Sequence, residues 1–161
     1  PPMTPPGLDE VIERFDHVAM AVWDIPAALG MIGFMGGVFR DGGDNVRMRF
    51  RWVQFTLPGG ATMELIQPLE DNDWLVRHLE RRGEGLHHVT FKVFDLDHAV
   101  EQARAQGMEI TGYSRTDDWS EAFIHPKTAN GVVVQLAQWN DGFRWAASYE
   151  EVMAWRVIDA G

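Results

Sequence analysis

One pattern occurs twice in this chain at a constant offset of 71 residues, and this internal repeat restricts the possible folds more than any other feature. Residues 13–69 align without a gap on residues 84–140. His17 falls on His88, and the aspartate, glycine and apolar positions around them keep the same register. A repeat of this length can hold one small supersecondary unit, so the sequence predicts two similar modules in tandem.

Both copies show the same order of predicted elements, β-α-β-β-β, which places the chain in the α+β class. The expected strands cover 16–23, 46–57 and 61–67 in the first copy, and 87–94, 109–113, 121–125 and 131–138 in the second. The expected helices begin near Pro26, with a helical region that includes Leu29 to Phe39, and run from Asp97 to Gln106, where Gly107 ends the second. The predicted divisions are a tail (1–12), a first module (13–70), a connecting helix within 71–85 (Asp73 to Arg82), a second module (86–139) and an extension (140–161), helical from Ala147 to Ile158.

Composition excludes several classes of function. The 161 residues include no cysteine, which rules out disulfides, iron–sulfur clusters, zinc fingers and cysteine nucleophiles. With 14 basic and 24 acidic residues the net charge is −10, which disfavours nucleic acid and anionic membrane as partners. Residues 1–7 are Pro-rich without the apolar segment of a signal peptide. We therefore expect a cytoplasmic protein that acts on a small molecule.

Four side chains at equivalent repeat positions predict a metal site. His17 and Glu64 are 47 residues apart, and the same spacing separates His88 from Gln135. Imidazole nitrogens with carboxylate or amide oxygens suit one divalent ion, which could be Zn, Co, Ni, Mn or Fe. A lone strand histidine is more often structural, but two at symmetric positions, each matched with a polar residue in an apolar strand, favour a metal. Burying Glu64 without a partner would also be costly.

Five segments resemble the vicinal oxygen chelate (glyoxalase/bleomycin resistance/dioxygenase) superfamily, and most of all its methylmalonyl-CoA epimerase and glyoxalase branch. The resemblance covers residues 14–139 and lies in residues 15–22, 63–69, 85–93, 123–127 and 131–136. It implies two βαβββ modules that form an open eight-stranded cup. It also implies a divalent metal at the His17, Glu64, His88 and Gln135 positions, which chelates substrate oxygens and stabilises an enolate.

Two departures from the family pattern concern the proton-transfer step. The last ligand position is usually a glutamate that also moves the proton, but Gln135 cannot act as a base. The additional base glutamate of the epimerases has no acidic counterpart in residues 46–54. Glu121, on the strand that carries Phe123, is the candidate replacement base.

Basic residues near the predicted strands are candidates for substrate binding. Arg47, Arg49 and Arg51 alternate with apolar residues and are expected on one strand face. They form either a solvated face or an anion clamp for a carboxylate or a coenzyme A phosphate. Lys92, which shares a strand face with His88, is assigned to substrate binding with them.

Three functions remain open from the sequence. The first is a metal-dependent isomerase, epimerase or lyase acting on a small carbonyl or acyl-thioester substrate through an enolate. The second is a non-haem dioxygenase of the extradiol type, since two histidines and a carboxylate approach the facial triad of such enzymes. The third is a non-catalytic small-molecule binder. A homodimer is also expected, because the extension carries an apolar cluster of Trp145, Val152, Trp155 and Ile158.

Overall fold

The computed structural model describes residues 10–154, which form an α+β fold with the element order β-α-β-β-β twice. The first copy contains β1 (Ile12–Ala21), α1 (Ile25–Phe34), β2 (Val38–Asn45), β3 (Phe50–Thr56) and β4 (Thr62–Pro68), and α2 (Asp73–Arg82) follows it. The second copy contains β5 (Gly85–Val93), α3 (Leu96–Ala105), β6 (Ile110–Arg115), β7 (Trp119–Ile124) and β8 (Val133–Trp139), and α4 (Tyr149–Ala154) comes last. No helix within these residues is long and apolar enough to cross a membrane.

The eight strands follow the order β2-β3-β4-β1-β5-β8-β7-β6. β5 and β8 are parallel, whereas the β2–β3, β3–β4, β6–β7 and β7–β8 pairs are antiparallel. The predicted fold class, α+β with two tandem βαβββ modules and eight strands, is confirmed. α2 has the bounds that the sequence predicts, and α3 begins one residue before its predicted start.

Contacts divide the chain into two compact units that do not coincide with the repeat. The first unit combines residues up to 17 with residues 88–143. Its core lies between α3 and one face of β5, β7 and β8, and includes Val93, Leu96 and Leu136. Because strand side chains alternate between faces, the opposite face of these strands carries the side chains of His88, Gln135 and Glu121.

The second unit combines residues 18–87 with residue 144 and beyond, and its helices cover two different strand faces. α1 and α4 pack with Val53 and Leu65 on one face of β3 and β4. The connecting helix α2 packs with Ala21 and Ile66 on the other face, which also carries Glu64. Ala21 is completely buried there, next to Leu75 and Leu79 of α2.

The first copy differs from the prediction in its second strand. Residues 38–45 form β2, although part of this segment was assigned to the helical region, and residues 46–49 form a turn. Glycines are depleted in strands, so the Gly-rich sequence of β2 gave no strand signal. Gly42 is required there because a Cβ would lie 2.9 Å from Val152 Cγ2 of α4.

The C-terminal extension packs on its own chain. Val152 of α4 is completely buried in the core of the second unit, where it meets Gly42 of β2. Part of the apolar cluster on which the expected homodimer rested is thereby already covered. Trp145 is 42% exposed, while Trp155 and Ile158 lie outside the described residues. The dimer stays a prediction.

Candidate metal centre and active site

A polar strand face in the first unit gathers most of the predicted site residues. Thr90 of β5 pairs with Gln135 of β8, and Gln135 pairs in turn with Phe123 of β7. Alternation then places His88, Thr90 and Lys92 on the same face as Gln135 and Glu121. All five of these polar residues are buried, so a cluster of hydrogen bonds must replace their contacts with water.

Hydrogen bonds join Glu121, Gln135 and Thr90. The Gln135 amide donates through Nε2 to Glu121 Oε2 at 2.6 Å. At its other end, Gln135 Oε1 accepts from the Thr90 hydroxyl at 2.6 Å. The Thr90 oxygen also lies 3.0 Å from His17 Nε2. Gln135 is thus held in one orientation between a carboxylate and a hydroxyl, and Thr90 links it to a predicted metal ligand.

Asp16 orients His17, a contact that the sequence analysis missed. His17 Nδ1 lies 2.8 Å from Asp16 Oδ2, and since a carboxylate accepts, Nδ1 donates. Arg14 Nη2 lies 3.1 Å from the other oxygen of Asp16. A carboxylate that fixes the tautomer of a ligating histidine is a recurrent feature of metal sites. Neighbouring residues of a strand are expected on opposite faces, so the strand pattern did not predict this contact. The acidic residue directly before a strand histidine was nevertheless a signal that could have identified it.

Glu64 has a hydrogen-bond partner that the sequence analysis did not identify. Gln54 of β3 is paired with Glu64 of β4, and its Nε2 donates to Glu64 Oε2 at 2.8 Å. Contrary to the expectation from the sequence, Glu64 therefore has a protein partner without any metal. The amide satisfies a hydrogen-bonding site but carries no charge, so a cation would still stabilise this buried carboxylate.

Three of the four predicted ligands lie close together. His17, Glu64 and His88 are all buried, and one ligand atom from each lies within 4.8 Å of the other two. The ring centroids of His17 and His88 are 5.9 Å apart, and His88 Nε2 is shielded from solvent. Two imidazoles and a carboxylate suit Zn, Fe, Mn, Co or Ni, so the donor set fits the predicted divalent metal. Ligation by Gln135 stays a prediction.

Glu121 lies next to this group through Gln135. Its Oε2 accepts a second hydrogen bond from Trp119 Nε1 at 2.8 Å. Both of these bonds fall on the same oxygen, which leaves Oε1 as the oxygen that can take up a proton. The placement is compatible with the predicted role of Glu121 as a base.

The three predicted substrate-binding arginines do not share a strand face. Arg47 and Arg49 lie in the turn 46–49, where Arg49 has a φ of 58° and Asn45 Oδ1 accepts from Met48 N. Arg51 is buried in β3 and its Nε donates to Asp44 Oδ1 at 2.6 Å. The alternation of basic and apolar residues that suggested one strand therefore spans a turn and the beginning of a strand.

Lys92 is buried in an ion-pair network at the end of β5. Its Nζ lies 3.1 Å from Glu13 and 2.9 Å from Asp141, and 5.3 Å from the centre of the Trp139 ring. Arg14 binds the same Asp141 carboxylate at 2.8 Å. Hydrogen bonds from Arg14 first, and then from Lys92, lower the pKa of Asp141. The network joins the segment after β8 to β1 and β5, and a role of Lys92 in substrate binding stays a prediction.

Replacing Lys92 by methionine is expected to lower the free energy of unfolding by about 1–3 kcal/mol at neutral pH, because two charge-assisted hydrogen bonds are lost. The lowered pKa of Asp141 stabilises the fold above the ordinary value of 3.8, and this contribution is lost as the pH falls below that value. Lys92→Met should therefore also reduce the loss of stability on acidification. Urea unfolding at pH 7 and pH 3 measures both effects. Exposed Lys127→Met is the control, and equal stability of the two variants would contradict the prediction.

Comparison with known proteins identifies the family. The family model described as the glyoxalase/bleomycin resistance protein/dioxygenase superfamily matches residues 16–123. This chain belongs to that superfamily, which confirms the resemblance found in its sequence motifs.

Among its relatives and structural neighbours are several epimerases. An ethylmalonyl-CoA/methylmalonyl-CoA epimerase of Cereibacter sphaeroides is 30% identical over 138 residues, which cover 80% of this chain and 99% of that one. The crystal structure of methylmalonyl-CoA epimerase from Mycobacterium tuberculosis matches with a TM-score of 0.74 and 27% identity, covering 83% of this chain and 93% of that one. A Streptomyces coelicolor methylmalonyl-CoA epimerase in complex with 2-nitronate-propionyl-CoA matches at 0.69 and 23% identity, over 79% and 97% of the two chains, and supports the fold alone.

Proposed function

We propose that this protein is a metal-dependent enzyme of the epimerase type, which moves a proton at the carbon next to the carbonyl of an acyl-coenzyme A thioester. The observation that carries the proposal is the close approach of His17, Glu64 and His88, whose ligand atoms lie within 4.8 Å of one another. The similarity to epimerases of malonyl-type thioesters supports the substrate class.

His17, Glu64 and His88 would hold a divalent ion, with Gln135 as a weaker fourth ligand through its amide oxygen. Such an ion supplies Lewis-acid polarisation of the substrate carbonyl, which makes the neighbouring C–H bond more acidic. The protein's own contribution is positional. Asp16 holds the His17 ring, Gln54 holds the Glu64 carboxylate, and Thr90 holds Gln135.

Glu121 would be the general base. Its carboxylate would take the proton from the carbon next to the carbonyl, and the electrons of the C–H bond would move into the enolate. Inversion then requires that a proton be added to the opposite face of this carbon, and solvent water can supply that proton. Gln135 and Trp119 both donate to Oε2, which leaves Oε1 available for proton transfer. In this arrangement the base would lie on β7, and not at the last ligand position on β8, which Gln135 occupies.

Solvent deuterium exchange tests the proposed function. In deuterium oxide, the purified protein is expected to introduce deuterium at the carbon next to the thioester carbonyl of a branched acyl-coenzyme A, as followed by mass spectrometry. Treatment with a chelator should stop the exchange, and adding back a divalent metal should restore it. A panel of α-hydroxy ketones serves as the comparison substrates. Exchange on no thioester, or exchange that survives complete metal removal, would contradict the proposal.

The same three ligands also support a second candidate function, a non-haem iron oxygenase. Two histidines and one carboxylate form the ligand set typical of such enzymes. Purification without chelator or affinity tag, followed by metal analysis and an oxygen electrode, separates the two candidates. Iron content with oxygen consumption and without deuterium exchange would favour the oxygenase.

A further inference from the structure

The carboxylate of Glu121 lies between two aromatic side chains of its own strand. β7 pairs with β8 so that Trp119 lies opposite Trp139, and Glu121 lies opposite Ala137. Because residues two apart in a strand share a face, Trp119, Glu121 and Phe123 project from the same side of β7. The two aromatic residues are half-buried, whereas Glu121 is only 9% exposed. Trp119 and Phe123 thus form the two walls of a slot that has Glu121 in its floor.

The first wall is held in place by contacts on two sides. Trp119 Nε1 donates to Glu121 Oε2 at 2.8 Å. The Trp119 ring also stacks on that of Trp139, with the centroids 4.8 Å apart and an angle of 23° between the planes. Lys92 Nζ in turn lies 5.3 Å from the centre of the Trp139 ring. Since stacking and cation–π contacts both favour one ring orientation, Trp119 is a fixed boundary of the slot.

The second wall is placed by a glycine of the neighbouring strand. Gly112 of β6 has a φ of 61°, and a Cβ at this position would lie 2.8 Å from Phe123 Cδ2. The register between β6 and β7 shifts between Thr111 and Ser114, so β6 has one extra residue there. Glycine accepts this backbone conformation and lets the Phe123 ring lie close to the β6 backbone. Phe123 therefore borders the slot on the side of β6.

The floor of the slot is closed toward one neighbouring strand and open toward the other. On β8, the residue paired with Glu121 is Ala137, which is completely buried. On β6, the paired residue is Ser114, which is partly exposed and lies on the edge strand of the sheet. Directly paired residues share a face, so Ser114 continues the floor to the sheet edge. The next residue, Arg115, instead contacts Asp97 of α3 on the opposite face.

The order of the strands gives a direction to a substrate bound in the first unit. The predicted ligands His88 and Gln135 lie on β5 and β8, which are neighbours in the sheet. Glu121 follows on β7, and Ser114 follows on β6. With the substrate carbonyl at the metal and the reacting carbon at Glu121, the substituent on this carbon points away from the carbonyl. It therefore lies over Ser114, between the two aromatic walls.

We propose that this slot binds an unbranched alkyl substituent on the reacting carbon, and that Trp119 and Phe123 determine the specificity for it. The inference rests on the proposed function, which places the reacting carbon at Glu121. The aromatic walls favour an apolar group and limit its width. The open end over Ser114 does not limit its length. A branched substituent is disfavoured because its second branch meets one of the two walls.

The test compares malonyl-coenzyme A thioesters that carry a methyl, ethyl, n-butyl or isopropyl substituent on the reacting carbon. In deuterium exchange, the wild-type kcat/KM for the n-butyl compound should be at least about tenfold higher than for the isopropyl compound. Calorimetry with the same compounds in Glu121→Gln protein measures binding under conditions of slowed turnover. The affinities should follow the same order, with the n-butyl compound bound more tightly than the isopropyl compound.

Two variants test the width and the length of the slot separately. Phe123→Ala widens it, so the isopropyl compound should gain at least about tenfold in kcat/KM relative to the n-butyl compound. Ser114→Leu fills the open end, so the n-butyl compound should lose at least about tenfold while the methyl compound stays within about threefold. Arg115→Leu is the matched control. It places a leucine on the same strand but on the opposite face, and should leave the order of the four compounds unchanged.

The results separate the slot from the reaction. Equal kcat/KM for the n-butyl and isopropyl compounds in the wild type would overturn the specificity assignment. A folded Ser114→Leu protein that handles the n-butyl compound like the wild type would overturn the position of the slot. If no thioester exchanges deuterium, the proposed reaction is contradicted, and the affinities in Glu121→Gln protein with and without Ser114→Leu decide on the slot alone. Affinities that do not depend on the substituent would then overturn it.

Discussion

Replacing His17, Glu64 or His88 by alanine is expected to leave the protein folded but without a bound divalent metal. The three side chains supply all the ligand atoms of the compact group, and two remaining ligands hold a divalent ion weakly. Loss of an outer hydrogen-bond partner alone typically costs ~10–100-fold in metal affinity, so loss of a ligand should cost more. Metal content by mass spectrometry after dialysis, and deuterium exchange on the same samples, should both fall to background.

Asp16→Asn gives a graded comparison for this prediction. It keeps His17 and removes only the carboxylate that fixes its ring, so metal affinity should fall by ~10–100-fold and not vanish. Circular dichroism of each variant checks that the fold is retained. If folded His88→Ala still binds one equivalent of metal with unchanged affinity, the ion is held elsewhere and the proposed centre is wrong.

Replacing Glu121 by glutamine is expected to slow deuterium exchange by ~10²–10⁴-fold while metal content stays at the wild-type level. Glutamine keeps the size of the side chain and an oxygen that can accept from Gln135 and Trp119, but it cannot take up a proton. The separation of turnover from metal binding distinguishes a base from a ligand. The measurement is the exchange rate per bound metal, from parallel kinetic and metal analyses.

Trp119→Phe is the matched control for Glu121→Gln. It removes one of the two hydrogen bonds to Glu121 Oε2 but keeps an aromatic ring next to Trp139, so the exchange rate should change by no more than about tenfold. An unchanged exchange rate in Glu121→Gln would show that another group moves the proton.

The parts of the fold that repeat could be predicted from the sequence. His17 and His88 lie at equivalent positions of β1 and β5. Each copy alone gives only a weak indication of its strands, but the constant offset of 71 residues lets the two copies support each other. α2 could be predicted to the residue, because Asn72 caps its start and Gly83 follows its end. The positions of Glu64 and Gln135 followed from the same repeat, as buried polar residues in otherwise apolar strands.

The parts that depend on contacts distant in the sequence could not be predicted. The strand character of Gly42 depends on α4, which packs against it more than 100 residues later. The turn at Arg47 and Arg49 has the alternation of a strand, and only the contacts of Asn45 and Asn72 with its backbone reveal it. Local periodicity contains no information about either.

The hydrogen-bond and ion-pair partners of the site residues could not be predicted either, because they too are distant in the sequence or depend on strand register. Gln54 meets Glu64 only through the register of the hairpin formed by β3 and β4, and the strand pattern alone does not fix that register. Lys92 is bound by Glu13 and Asp141, from opposite ends of the described chain, and no pattern within one strand predicts such a pair. Candidate ligands could therefore be found from the sequence, whereas the groups that hold them could not.

Each of the two compact units is built from two segments that are far apart in the sequence, which affects how the chain folds. The first unit needs residues before 18 together with residues after 87, and the second unit needs residues from 144 onward to complete the core around Val152. During ribosomal synthesis, β1 therefore emerges long before the strands beside which its first half packs. Neither unit has all of its segments until at least residue 143 has been made, so folding should be slow and dependent on contacts between distant segments.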